Sequence, residues 1–156
     1  GSEVHPITDP AYHALSPYWS PDGLRLAYIS NDADPPGVYA IDLDGNPTEL
    51  LFADTARSVA WSPDGRWLAL SLYLDPVSHT TDVALFDLQF GLITRLTYST
   101  VDHLDVDWFP LGNYLIFWAD YSTPTNADVY TLTRTGTQLQ NLTNYPGNDM
   151  MGDWTP

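Results

Sequence analysis

The residues best suited by type and spacing to do chemistry are carboxylates and imidazoles in two short clusters. One is Asp102-His103-Leu104-Asp105-Val106-Asp107; the other is Asn148-Asp149 with Asp153, and His13 occupies the matching place earlier in the chain. Strand alternation sets Asp105 and Asp107 on one face, where two like charges need a cation, a donor or water between them. Oxygen ligands of this kind suit a hard cation such as calcium, or the cationic side chains of a basic peptide. The competing reading is solvated carboxylates and turn caps around a wet opening, with no metal and no other cofactor. Catalytic signatures are missing: there is no Gly-x-Ser-x-Gly, no His-Glu-x-x-His, no Gly-rich phosphate loop and no cysteine. The expectation is a protein that is not an enzyme.

The elements that must position these residues are marked by a repeat. Trp19-Ser20-Pro21-Asp22-Gly23 recurs as Trp61-Ser62-Pro63-Asp64-Gly65, and weaker copies follow at Trp108 and Trp154, at spacings of 42, 47 and 46 residues. Proline presets φ early in a tight turn, the aspartate accepts backbone N–H bonds inside it, and glycine supplies the positive φ that closes it. Turn chemistry therefore accounts for Asp22, Gly23, Asp64 and Gly65 without a ligand. Each tryptophan ends a strand beside the turn, where a large indole fills space between neighbouring sheets.

A period near 40–45 residues is that of a four-stranded propeller blade. First strands are expected over 13–20, 56–62 and 103–109, second strands over 24–30, 66–73 and 113–119, and third strands over 38–42, 83–87 and 129–132. The fourth strands, over 48–52, 94–98 and 138–143, read as short and polar, which is how a blade blunts an exposed edge. The reading is all-β: one propeller repeat domain over 1–156, with blades at about 13–52, 56–98 and 103–143 and partial strands at 4–8 and 151–156. The eight residues in the connections between blades, His13, Asp102, His103, Asp105, Asp107, Asn148, Asp149 and Asp153, then surround the opening of the central channel.

Composition narrows the partners. The 156 residues are 44% hydrophobic and 13% aromatic, which suits a folded core, and they hold 20 acidic residues against 5 arginines and no lysine, a net charge of −15. Nucleic acid and anionic membrane surfaces need clustered cations that this chain lacks. No apolar run approaches the ~20 residues that span a bilayer.

The two complete Trp-Ser-Pro-Asp-Gly turns, the alternating strands after them, and the endings Arg95-Leu96-Thr97 and Asn141-Leu142-Thr143 resemble the TolB-like, WD-repeat-like propeller family. The third copy departs, with Phe109 and Leu111 where serine and aspartate stand in the others, so its turn must be capped differently. The resemblance implies a non-catalytic module that binds a protein or peptide, and a bacterial periplasmic setting. An alternative is an accessory propeller of a larger prolyl-oligopeptidase-like enzyme or of a sensor. Three blades make half of a six-bladed ring. The apolar flanks of a half-ring need cover, so the expected assembly is a homodimer that closes the ring.

Overall fold

The computed structural model describes residues 6–43, 48–74, 79–123, 126–144 and 146–150. Its local logic starts at the turns. Gly23 and Gly65, at φ of 72° and 73°, donate their N–H to the carbonyls of Ser20 and Ser62, both at 2.9 Å. The serine hydroxyls donate to Asp22 and Asp64 at 2.6 Å and accept from the N–H of Arg25 and Trp67. The third copy keeps the backbone turn without these side chains: Gly112, at φ 71°, donates to the Phe109 carbonyl at 2.7 Å. Positive φ at the glycine, rather than the aspartate, is what the three described copies share.

Each turn joins the first two strands of an antiparallel sheet. The first sheet holds β1 (Leu15–Trp19), β2 (Arg25–Ser30), β3 (Gly37–Asp42) and β4 (Glu49–Phe52). The second holds β5 (Ala56–Trp61), β6 (Trp67–Leu72), β7 (Asp82–Asp87) and β8 (Leu92–Arg95). The third holds β9 (His103–Trp108), β10 (Tyr114–Thr123), β11 (Asn126–Thr133) and β12 (Gln140–Asn141). Strand order follows chain order in all three. The first strands are innermost, with β5 packed beside both β1 and β9. The described residues contain no helix.

Two apolar cores lie between consecutive sheets. Ala27, Ile29, Val38 and Ala40 of the first sheet meet Leu68, Leu70, Ala84 and Trp61 of the second. Ala69, Val83 and Leu85 of the second meet Leu115, Phe117, Leu132 and Trp108 of the third. Strand alternation sends successive side chains of the middle sheet into opposite cores, so β5, β6 and β7 are buried on both faces. Trp61 and Trp108 each pack onto the preceding sheet. Trp61 and Trp108 are 3% and 4% exposed, whereas Trp19, with no described sheet before it, is 48% exposed.

The outer strands depart from the expected pattern. The last strand of the middle sheet lies at Leu92–Arg95, two residues earlier than expected, and its burial is low throughout. The shift comes from a five-residue turn in which Gly91 donates to the Asp87 carbonyl at 2.8 Å, while the Asp87 carboxylate accepts from Gln89 and Phe90. That strand is apolar at Leu92 and Ile93, which corrects the expectation of polar outer strands. Of the end fragment expected over 4–8, residues 6–8 form no strand; residues 4 and 5 and all of 151–156 lie outside the described residues.

Candidate functional site

Each inner strand carries one extra residue against its partner. The irregularity falls between Leu15 and Tyr18 in β1, Ala56 and Ser58 in β5, and between Leu104 and Asp107 in β9. Ser16 and Asp105 sit at the same repeat position with φ of 48° and 50°. Such a bulge breaks the two-residue alternation. Asp105 is exposed and its carboxylate accepts the Trp118 indole N–H at 2.6 Å. Asp107 accepts the Tyr18 hydroxyl at 2.5 Å, from the first sheet. The two carboxylates thus meet different donors.

The remaining expected residues are also dispersed. His13 is exposed and its Nδ1 lies 2.7 Å from the Asp32 carboxylate, a contact that holds the Asp32 pKa below the usual value. Asp102 accepts the Thr81 N–H at 2.9 Å and stands 4.0 Å from Arg57, in a half-exposed pair that contributes little. Asn148 repeats the Asp102 role by accepting the Ala127 N–H at 2.9 Å. The half-buried Asp149 donates its N–H to the Ala127 carbonyl at 2.7 Å, as His103 does to Thr81 at 3.2 Å. Asp153 and Trp154 lie outside the described residues. Among the described residues no three histidine or acidic side chains come together as a metal site.

His103 is not on the opening at all. It is fully buried, with Nδ1 2.7 Å from the Thr81 carbonyl and Nε2 against the Tyr121 hydroxyl. A carbonyl only accepts, so Nδ1 carries the proton and Tyr121 donates to Nε2. Burial pushes the His103 pKa below its ordinary value and the Tyr121 pKa up to about 12. Beneath the imidazole, Asp82 accepts from Arg95 and, at 2.9 Å, from the Thr97 hydroxyl; Thr97 Oγ1 in turn accepts the Val83 N–H. The network clamps the third strand of the second sheet to its fourth strand and to the third sheet. Its imidazole is closed to substrate, so its work is structural.

The third sheet repeats the clamp. Asp128 accepts from Asn141 at 2.9 Å and from Thr143 at 3.4 Å, and Thr143 Oγ1 takes the Val129 N–H. The sequence signal was present: an aspartate stands 15 residues before the threonine of both Arg-Leu-Thr and Asn-Leu-Thr. In the first sheet Gly37 takes the aspartate's place, and a Cβ there would lie 2.3 Å from the Phe52 carbonyl oxygen.

What the structure does bring together is the motif itself. Trp19, Trp61 and Trp108, with Pro21, Pro63 and Pro110, line one cavity of about 230 Å³ that Tyr18 and Asp107 complete. Three repeat-equivalent Trp-x-Pro segments can share a cavity only if the sheets turn about a common axis. The sequence carries the same sign, because the chain matches the TolB beta propeller domain over residues 1–156. The chain belongs to the TolB beta propeller domain family. Within the TolB family, it is 42% identical over 64 residues to the Tol-Pal system protein TolB of Alcanivorax borkumensis, a match covering 39% of this chain and 15% of that protein. The crystal structure of TolB from Acinetobacter baumannii superposes with a TM-score of 0.77 at 22% identity, covering 91% of this chain and 35% of that one. A solved prolyl endopeptidase shares the fold, with a TM-score of 0.64 at 18% identity over 90% of this chain and 23% of its own length. The chain therefore spans about a third or less of each of these proteins.

Proposed function

We propose that this TolB-family chain is a non-catalytic propeller module that binds a basic peptide or protein segment at the axis of its blades, in the bacterial periplasm. The observation that carries the reading is the shared cavity of three Trp-x-Pro segments with Asp107 on its wall. Aromatic faces beside a carboxylate suit a guanidinium. The chain uses that contact itself, where Arg25 lies 4.9 Å from the Trp61 ring and Arg66 lies 5.0 Å from Trp67. The net charge of −15 steers basic partners toward it. Titration with a hexa-arginine peptide tests the reading. Binding is expected to weaken at least tenfold in Asp107→Asn and to fall with salt; no binding to the unaltered chain overturns it.

The assembly that fits is a second copy of this chain closing the ring. Trp19 is the repeat equivalent of Trp61 and Trp108, which seat on a preceding sheet, and the outward face of the third sheet is the equivalent of the faces that receive them. Two copies would therefore supply each other's missing neighbour. Light scattering is expected to give twice the 17.4 kDa chain mass; a stable monomer with Trp19 solvent-exposed refutes closure.

The prolyl endopeptidase likeness favours a second reading, an accessory propeller of a larger enzyme or of a sensor. The parent reading frame decides it: a catalytic or signalling domain encoded beside residues 1–156 supports the accessory role, and its absence favours the independent module.

A further inference from the structure

A β-sheet has two faces and two long edges. In the middle sheet both faces are covered over β5, β6 and β7, by the first and third sheets, and the inner edge β5 packs between β1 and β9. The outer edge β8 has no strand beside it among the described residues. Leu96 N–H donates to the Val83 carbonyl at 2.8 Å, and Leu85 and Asp87 stand opposite Thr94 and Leu92. Antiparallel ladders alternate bonded and non-bonded pairs, so Leu92 and Thr94 bond inward while the backbone N–H and C=O of Ile93 turn outward.

The side chains at the start of this edge are apolar and open. Phe90, Leu92 and Ile93 are 62%, 64% and 44% exposed. Bare edges are ordinarily shortened or charged. In this chain β12 is cut to two polar residues and β4 opens on Glu49. The one charge on β8, Arg95, is engaged by Asp82 and lies 4.5 Å from the Tyr98 ring.

We propose that β8 is a docking edge for an extended segment of a partner protein, apolar at alternate residues and basic between them, which adds to the middle sheet as a fifth strand. Strand addition is the contact that uses the outward N–H and C=O of Ile93: backbone pairing supplies the affinity, and the apolar side of the segment lies on the same face as the exposed Ile93 side chain. A second copy of this chain is the wrong occupant. Four residues of edge cannot approach the ~1,200 Å² of a stable protein pair, and the contact would set a charge of −15 against another. Charge complementarity selects a basic segment instead. This site is at the outer rim and does not depend on the axial cavity.

The test titrates residues 1–156 with a fluorescein-labelled octapeptide alternating valine and arginine, read by anisotropy. Binding is expected, and it should weaken at least tenfold when the peptide is N-methylated throughout or when glutamate replaces arginine. Ile93→Pro should weaken it by the same factor while the circular dichroism is unchanged, because the Ile93 N–H makes no ladder bond and edge strands tolerate proline there. If that variant fails to fold, Ile93→Lys is expected to give the same loss by repelling the peptide. Hexa-arginine, which has no apolar residue to set over Ile93, should keep its affinity in the folded Ile93 variants, which separates the rim from the axis. No binding by the unaltered chain overturns the proposal. So does equal affinity for the methylated or glutamate peptide, or full affinity in a folded Ile93 variant.

Discussion

The first and second blades carry the same five residues at their inner turn, and their tryptophans end in different surroundings. Trp61 is 3% exposed and donates its indole N–H to the Gly65 carbonyl at 3.1 Å, with Arg25 of the first blade over its ring. Trp19 is 48% exposed. An identical local sequence fixes the turn, whose hydrogen bonds agree in the two copies to within about 0.1 Å. Burial of the tryptophan is decided elsewhere, by whether a sheet stands before it. The motif encodes a knob; the socket belongs to the neighbour.

The largest test of that contrast is a pair of truncations. Trp61→Ala is expected to cost about 3–5 kcal/mol in urea unfolding, and Trp19→Ala under about 1 kcal/mol in the separated chain. Equal costs would mean that the two indoles are equally buried in solution. In a closed dimer, Trp19→Ala should instead show as dissociation at micromolar concentration.

The two interfaces between blades also differ in what they bury. Between the second and third blades lies His103, with Asp82, Asp102 and Arg95 around it; the matching position between the first and second blades is Ala56. Because burial lowers the folded pKa of His103 below 6.5, the unfolded chain binds the proton more tightly. Stability is therefore full above pH 6.5 and declines as pH falls through the depressed folded value. Urea unfolding between pH 7.5 and 5.5 should show this decline, and His103→Asn should flatten it. A decline of the same size in the variant would assign it to the carboxylates.

A smaller gain should come from giving the third blade the turn of the other two. Phe109→Ser with Leu111→Asp supplies the serine and aspartate acceptors, and Leu111 is 80% exposed, so little packing is lost there. The double variant is expected to gain about 0.5–1 kcal/mol, read as a higher unfolding midpoint. A loss would show that the Phe109 ring, edge-on to Tyr114 at 6.4 Å, matters more than the cap.

The smallest expected effect is that of calcium. Asp105 and Asp107 are held by Trp118 and Tyr18 on separate sides of a bulge. Millimolar calcium should leave the unfolding temperature unchanged; a rise abolished by Asp105→Asn with Asp107→Asn would restore a shared cation.

The fold was legible because it is written in local chemistry. Pro-Asp-Gly turns, two-residue alternation and a fixed period each act within a few residues, and together they identify sheets, their order and their family. The chemistry-bearing residues are less legible because bulges interrupt strand alternation in each inner strand. Nothing in Asp105-Val106-Asp107 announces that Asp105 will adopt φ of 50°; the matched irregularity at Ser16 appears only when inner strands are packed around an axis. His103 misled for a second reason. A histidine next to three aspartates reads as a wet cluster, yet the side chains that enclose it, Thr81 and Tyr121, stand 22 and 18 residues away. The start of the outer strand is not legible because the Asp87 to Gly91 turn spreads its aspartate and glycine across five residues rather than joining them.

The one-way seating of the tryptophans gives the molecule a direction. Trp61 leans on the first blade and Trp108 on the second, so one end of the stack is always a knob and the other always a socket. Like ends cannot meet. Any association through them is head to tail, and the same contact then forms at both junctions or repeats without limit. Were copies to associate through these ends, a single quantity would choose between a closed ring and a growing fibre: the turn about the axis from one blade to the next.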